Sequence, residues 1–175
     1  YQYWMSISQI FSERPEAANI WIAICGAFGI FLFWDALRRL VSISAASLAG
    51  VFLATSPWAV FYSDRIWNPN LLSLFVPMGF WLAIRIQEGR ERYFPFLIFV
   101  CAIILQIHLS AVALFSGFAA LIWGRKISKR SRWLSVLLFL LITLPYLTFE
   151  IKSHFGNTRA ILFNSVSEEG SVHFL

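Results

Sequence analysis

The sequence predicts an all-α membrane protein: a polytopic bundle of about six transmembrane helices, preceded by an amphipathic helix at the membrane interface. Hydrophobic residues make up 59% of the 175 residues, charged residues only 13%, and the mean hydropathy is +0.70. Ordinary soluble domains contain roughly 45–50% apolar residues, and a chain of this size can hide only about 70% of its surface. Lipid is therefore the predicted environment of most of the chain.

Long apolar runs define the predicted transmembrane segments. A helix needs about 17–25 apolar residues to cross the hydrocarbon, and in lipid only a helix or a closed barrel satisfies every backbone polar group. The run 93–123 is too long for one upright helix, and we divide it where Gln106, His108 and Ser110 interrupt it. The predicted spans are 17–37, 41–59, 70–86, 93–107, 109–123 and 133–149, within a transmembrane domain of residues 17–149.

The positions of the basic residues favour six spans. Lys and Arg concentrate in the cytoplasmic loops of membrane proteins. With six spans, three basic clusters share one side, whose ten basic and three acidic residues give a net charge of +7; the other side, with four and six, has −2. A single long helix over 93–123 would put neighbouring clusters on opposite sides. The clusters are Arg38 and Arg39; Arg85, Arg90 and Arg92; and Arg125, Lys126, Lys129, Arg130 and Arg132.

Both ends of the chain are expected on the non-cytoplasmic side. Residues 1–16 are predicted to form the interfacial helix, because their apolar and polar side chains fall on opposite sides of a helix. Residues 150–175 are predicted to form a polar outer loop. The chain has neither a starting Met nor a signal-peptide layout, and it stops abruptly at "SVHFL". We therefore expect a piece of a longer protein.

Several other classes of partner and cofactor are not supported by the composition. The isoelectric point is about 9.6, but the positive charge lies in short loops rather than in one patch, so we expect no nucleic-acid partner. Cys25 and Cys101 are isolated in apolar runs, which indicates small core residues. His154 and His173 lack metal-ligand partners at useful spacing, and a glycine-rich phosphate loop is absent from the sequence. We identify no cofactor and no metal ligands.

The stretch "SPWAVFYSDRIWNPNLL", residues 56–72, contains an unusual concentration of polar residues between two apolar runs. Pro57 and Pro69 are expected to mark helix boundaries, and Asn68 or Ser56 can cap a helix. These features leave Arg65 unexplained, because a lone Arg in a short outer loop runs against the charge bias. Arg can bind phosphate with two parallel hydrogen bonds, so Arg65 is a candidate ligand of a substrate phosphate. Alternatively, Arg65 pairs with Asp64 or reaches the phosphates of membrane lipids.

Two further ionisable residues are candidates for substrate binding. Ionisable groups at membrane depth are costly and often functional, so His108 can face a substrate cavity. Alternatively, backbone carbonyls at a helix break satisfy its ring. Glu150 begins the outer tail, which forms either a lid or acceptor contact, or a solvated loop end. The candidate substrate-binding residues are Arg65, His108, Asn68, Tyr62, Asp64 and Glu150.

Three stretches carry a family resemblance: "ATSPWAVFYSDRIWNPNLLSLF", "ILQIHLSAVALF" and "LPYLTFEIKSHFGNTRAIL". They resemble the bacterial relatives of the dolichyl-phosphate-mannose protein mannosyltransferases and of the lipid A aminoarabinose transferase, which share the GT-C membrane fold. The resemblance implies a hexosyl or pentosyl transferase of the bacterial plasma membrane with its active face outward. It would pass a sugar from a polyprenyl-phosphate carrier to a protein, lipid or glycan acceptor.

The resemblance also implies a mechanism and a missing residue. A carboxylate would deprotonate the acceptor, and cationic groups would stabilise the lipid-phosphate leaving group. In the family this carboxylate lies in the first outer loop, so the catalytic acidic residue is expected to precede Tyr1. A divalent metal, where needed, would bind through the same loop. Relatives often have Arg where this chain has Asn19, which increases the importance of Arg65 as a phosphate ligand.

Two other classes of membrane protein remain as alternatives. A transporter or flippase of lipid-linked saccharides would also have several spans and intramembrane polar residues. The sequence shows neither an inverted repeat nor a matching pair of Gly/Pro-broken spans, which are the usual signs of such a protein. A non-catalytic scaffold subunit would need no particular side chain at Arg65 or His108, so substitution of either would be silent.

Overall fold

The chain folds into helices alone throughout the residues that the computed structural model describes, which are 2–11, 14–63 and 68–159. The predicted all-α fold is confirmed. Short 3-10 helices occupy Asn68–Leu71, Glu91–Tyr93 and Leu109–Ala113. The α-helices are α1 (Gln2–Gln9), α2 (Pro15–Leu37), α3 (Ile43–Ala54), α4 (Pro57–Ser63), α5 (Leu72–Gln87), α6 (Phe94–Ile107), α7 (Leu114–Leu121), α8 (Lys129–Lys152) and α9 (Gly156–Arg159).

Three of the described helical segments are long and apolar enough to cross a membrane: Glu16–Leu37, Pro69–Gln87 and Lys129–Lys152. The other apolar helices are shorter. Predicted span 41–59 consists of α3 and α4, separated at Thr55 and Ser56, immediately before Pro57. The six-span topology and the divisions 1–16, 17–149 and 150–175 therefore stay predictions.

The surface of α8 is typical of a helix in lipid. Its buried residues are Ser131, Ser135 and Glu150, all of them polar. Its exposed side chains include Leu137, which is 62% exposed, and most of the other large apolar residues of the helix. A helix at the surface of a soluble protein shows the reverse arrangement, with its apolar stripe inside. The apolar exterior of α8 therefore supports membrane insertion.

Helices α2, α5 and α6 form the centre of the bundle, together with Phe118 of α7. Close approach between α2 and α5 depends on Gly29, since a Cβ there would collide with the backbone of Ser73. Gly79 of α5 similarly leaves room for the ring of Phe118, which lies 2.7 Å from where a Cβ would be. Such small residues let helices pack closely in membranes. Cys25 and Cys101 lie buried in this core as free thiols.

The three basic clusters lie together at one end of the bundle, which we call the basic end. Arg39 Nη1 pairs with Glu88 Oε1 at 3.1 Å, which joins the end of α2 to the end of α5. Arg125 Nε donates to Gln87 Oε1 at 2.7 Å, and the Ser128 N–H donates to Glu91 Oε2 at 2.8 Å. These contacts join the segments before α6 and before α8. That this end faces the cytoplasm remains a prediction.

Candidate functional site

Four of the six candidate residues lie near helix termini on the side of the bundle away from the basic end. α8 begins at the basic end and has 24 residues, so Glu150 in its last turn lies on the order of 30 Å from that end. His108 follows α6, which starts near the basic end, and Tyr62 and Asn68 precede α5, which finishes there. We call this region the opposite end. Arg65 and Asp64 lie outside the described residues, as does the side chain of Asn68.

The segment before Arg65 begins with a capped helix. The Ser56 hydroxyl oxygen accepts from the Ala59 N–H at 3.2 Å, which makes Ser56 the N-cap of α4. The ring of Tyr62 stacks on that of Trp58, with centroids 5.6 Å apart and planes inclined by 13°. Trp58 itself is 71% exposed. These amphipathic rings are typical of the headgroup level of a membrane.

Asn70 joins the two sides of the segment that contains Arg65. Its amide Nδ2 donates to the backbone oxygen of Tyr62 at 2.8 Å, and the residue is only 6% exposed. Its own carbonyl accepts from the Ser73 hydroxyl at 2.6 Å, at the start of α5. Our sequence reasoning missed Asn70. The available signal was the "NPN" sequence, because Asn beside Pro commonly hydrogen-bonds nearby backbone in turns.

His108 occupies the break between α6 and the following 3-10 helix. Its backbone is extended (φ −156°, ψ 114°), so the long apolar run 93–123 is interrupted at this residue. Its side chain is exposed, and Nδ1 lies 2.7 Å from the Ser110 hydroxyl. The ring is therefore held by a side chain rather than by backbone carbonyls. This contact leaves Nε2 as the ring nitrogen available to a ligand.

Gln106 ties α6 to α8 near the same end. Its Nε2 donates to the backbone oxygen of Ile142 at 2.6 Å, three residues before Pro145 inside α8. Pro145 lacks the N–H that would bond the Leu141 carbonyl, and its ring disturbs the preceding turn, to which Ile142 belongs. Gln106 therefore joins α6 to α8 beside this disturbed turn, two turns before Glu150.

Glu150 is a buried hydrogen-bond acceptor. It is 2% exposed, and its Oε2 accepts from the Thr158 hydroxyl at 2.7 Å and from the Thr158 N–H at 3.2 Å. Tyr146, one turn earlier, also interacts with this carboxylate. Between α8 and α9 the chain turns through left-handed backbone at His154 and Phe155 (φ 53° and 60°). The carboxylate thus holds the turn, and it is not a solvated loop end.

The candidate residues that the structure describes share one end of the bundle but take part in separate local arrangements. Tyr62 belongs to the Asn70 segment, His108 is held by Ser110, and Glu150 is held to Thr158. Within the described ranges, no group of three or more His, Cys, Asp or Glu side chains is placed to hold a metal ion. The described side chains at this end offer individual hydrogen-bonding groups.

A comparison with protein families identifies the chain. The family model of the dolichyl-phosphate-mannose-protein mannosyltransferases matches residues 3–149. The chain belongs to this family. The match covers the segment around Arg65 and the helix break at His108, and it stops one residue before Glu150. Membership of this mannosyltransferase family identifies a membrane glycosyltransferase of the GT-C type. No curated protein and no solved structure matches the chain.

Proposed function

We propose that the protein transfers a hexose or pentose from a polyprenyl-phosphate carrier to a protein, lipid or glycan on the non-cytoplasmic face. The family description supports a lipid-phosphate donor, since it names dolichyl-phosphate-mannose. The observation that carries the site is that candidate residues from three parts of the chain lie at the end opposite the basic clusters. The distribution of Lys and Arg favours that end as the outer one.

The proposed reaction is a displacement at the anomeric carbon of the donor sugar. The acceptor oxygen forms the new bond to this carbon, and the bond to the carrier phosphate oxygen breaks with its electron pair leaving on the phosphate. A carboxylate takes the acceptor proton, and we propose, as the family resemblance implies, that this group precedes Tyr1. Charge therefore builds up on the lipid phosphate as it departs. A divalent metal, where one takes part, would bind through the same preceding loop.

Arg65 is the proposed ligand of the departing phosphate. Its guanidinium can donate two parallel hydrogen bonds to phosphate oxygens, and it stays protonated at any working pH. Tyr62, Asp64 and Asn68 lie in the same short segment and are proposed to bind the donor beside it. Asn70 supports the proposal indirectly, because its hydrogen bond to Tyr62 fixes one side of this segment.

His108 is proposed to contact the sugar phosphate through Nε2. When the Ser110 hydroxyl donates to Nδ1, the ring proton of the neutral imidazole lies on Nε2, which then donates to an anion. Glu150 is proposed to act through Thr158, by holding the turn into α9 on the acceptor side. In this arrangement Glu150 is a positioning residue. The proposed location is the bacterial plasma membrane with the site facing outward.

The test is a transfer assay on the full-length protein in membranes. Radiolabelled sugar is supplied on a polyprenyl-phosphate donor, and wild type is compared with Arg65→Ala and with Arg92→Ala. Arg92 is an exposed Arg at the basic end, so it matches the charge change without touching the proposed site. We expect Arg65→Ala to lose at least about 100-fold in rate, the usual loss when a charge-stabilising donor is removed. Arg92→Ala should transfer at the wild-type rate.

Two results would contradict the proposal. Equal losses in both variants would mean that Arg65 acts through general charge rather than in the site. Absence of transfer by correctly inserted wild type, with every polyprenyl-phosphate sugar tried, would favour the transporter or scaffold alternatives.

A further inference from the structure

The basic residues at the basic end fall into two groups. In the first two clusters, four of the five residues have acidic partners: Arg38 and Arg39 pair with Asp35, and Arg39, Arg85 and Arg90 all contact Glu88. The fifth, Arg92, lies over the ring of Tyr93. The third cluster lies between α7 and α8, and we call it the α7–α8 basic segment. It consists of Arg125, Lys126, Lys129, Arg130 and Arg132.

The α7–α8 basic segment has almost no partners within the described chain. Arg125 donates to Gln87, which is neutral. The other four cations are exposed and make no hydrogen bond or ion pair with any residue that the structure describes. The neighbouring carboxylate of Glu91 accepts from the Ser128 N–H instead. The segment therefore presents concentrated positive charge that the described part of the chain does not neutralise.

Aromatic residues indicate the depth of this segment in the membrane. Trp123 precedes it and is 85% exposed, and Trp133 follows it and is 74% exposed. Exposed Trp side chains concentrate at the headgroup level, where one part of the ring is in apolar surroundings and the N–H is in polar ones. Between them, Ile127 packs against the protein core. The cations thus lie at the depth of lipid phosphates.

A cavity of about 290 Å³ opens beside these cations. It lies between the segment after α5 and the segment after α7, and Arg125, Lys126 and Glu91 contribute to its wall. One oxygen of the Glu91 carboxylate is bound by the Ser128 N–H, and the two cations outnumber this single negative charge. Gly89 and Gly124 also line it, both with positive φ (89° and 76°) and with open space where a Cβ would be. The backbone therefore leaves room for a compact polar group next to two cations.

We propose that this cavity and the α7–α8 basic segment bind the phosphate headgroup of an anionic phospholipid. Basic pockets beside transmembrane helices are suited to such headgroups, because the lipid supplies both the anion and its position at the interface. Depth favours a lipid over a soluble anion, since the flanking Trp residues hold the cations among headgroups. This site is separate from the proposed transfer site at the opposite end and does not depend on it.

The test measures lipid binding to the purified full-length protein. Protein in neutral detergent is titrated with phosphatidylglycerol or phosphatidylcholine, and bound lipid is counted by native mass spectrometry. The variant Lys126→Gln/Lys129→Gln/Arg130→Gln is compared with Arg14→Gln/Lys152→Gln/Arg159→Gln, which removes the same charge away from the segment. We expect phosphatidylglycerol affinity to fall at least tenfold in the first variant and to remain at the wild-type level in the second.

A charge-preserving variant tests whether substitution in this segment by itself, rather than the loss of charge, weakens lipid binding. Lys126→Arg/Lys129→Arg keeps both charges and should bind phosphatidylglycerol as wild type does. Equal affinity for phosphatidylcholine, or wild-type binding by the first triple variant, would overturn the proposal. Full competition by millimolar inorganic phosphate would show a site for a free anion and would also overturn it.

Discussion

The two ends of the bundle use polar side chains in different ways. At the basic end, charged groups join α2 to α5: the Asp35 carboxylate, which also holds its neighbours Arg38 and Arg39, accepts at 2.7 Å from Trp81 Nε1, and Arg39 pairs with Glu88. At the opposite end, the pairs lie close in the sequence, as in Ser110 with His108 and Thr158 with Glu150. Gln106 with Ile142 is an exception there.

This difference indicates that the basic end stabilises the fold, whereas we propose that the opposite end binds the substrate. Charge pairs that cross between helices fix the relative positions of α2 and α5, so losing them should affect stability. Local hydrogen bonds orient single side chains, and the contact of His108 with Ser110 leaves its Nε2 facing no partner among the described residues. The basic end therefore acts as a scaffold, and substitutions at the opposite end should affect transfer more than stability.

Asp35→Ala should have the largest effect on stability. The residue is 8% exposed, and its loss leaves two guanidinium groups and the Trp81 N–H without their shared acceptor. The Arg38 and Arg39 side chains are 39% and 22% exposed, so we expect less than the loss for a fully buried pair, a fall of about 2–3 kcal/mol in the free energy of unfolding. Unfolding in detergent would measure this, with the exposed Glu16→Ala as control, which should change by less than about 0.5 kcal/mol. A similar small change in both variants would contradict a scaffold role.

Asn70→Ala should affect both stability and transfer. Removing its amide leaves the carbonyl of Tyr62 without that donor, at a cost of about 1–3 kcal/mol, and loosens the segment around Arg65. We expect kcat/KM for the sugar donor to fall at least tenfold. Asn70→Asp, which lacks the hydrogen-bonding NH₂ group, should show the same loss. The control is Ser42→Ala, which removes the N-cap of α3 at the basic end. It should lower the free energy of unfolding by about 1 kcal/mol and keep the wild-type kcat/KM. Equal transfer by both variants would remove Asn70 from a positioning role.

His108→Ala should reduce transfer with little loss of stability, because the side chain is exposed. We expect a loss of about tenfold or more in rate, in the lower range for a group that exchanges a proton or hydrogen bond in the transition state. Ser110→Ala should give a smaller loss, since it only orients the ring. The control is Ser116→Ala, since the Ser116 hydroxyl of α7 donates to the Ala113 carbonyl just before that helix; this variant should transfer as wild type does. A scaffold subunit would show no change in any of the three.

Much of the fold follows from local features of the sequence. The apolar runs predict helices because lipid leaves few other structures for the backbone. The break at His108 and the helix starting at Pro57 coincide with polar or Pro residues that disfavour continued helix. Membership of the mannosyltransferase family follows from the motifs around Arg65 and His108, and the match over residues 3–149 confirms it.

The structural features that the sequence did not predict depend on contacts between separate segments of the chain. Trp81 and Asp35 are 46 residues apart, and their hydrogen bond depends on how α2 and α5 pack rather than on either segment alone. Asn70 was passed over because capping explained the "NPN" sequence well enough, whereas its side chain bridges to Tyr62. For Glu150 the sequence left open a lid or acceptor contact and a solvated loop end, since the turn that buries this residue forms only when Thr158 folds back.

The pH dependence of the Glu88 pairs should be the smallest effect. Partial burial raises the pKa of the Glu88 carboxyl, but hydrogen bonds from Arg85 and Arg39 outweigh this and lower the pKa below its usual range. A lowered folded-state pKa means that the pairs stabilise the fold at neutral pH. This stability is lost as the pH falls below about 4.3, the usual pKa of Glu, and through the lower folded-state pKa.

Comparing unfolding of wild type and Glu88→Gln at several pH values in detergent measures this contribution. The side chain is 31% exposed, so we expect the variant to be less stable by no more than about 1 kcal/mol at pH 7. The difference should shrink towards zero near pH 3, because wild-type Glu88 is then increasingly protonated and also neutral. A difference that stays constant across this range would mean that Glu88 supports the basic end through packing rather than through charge.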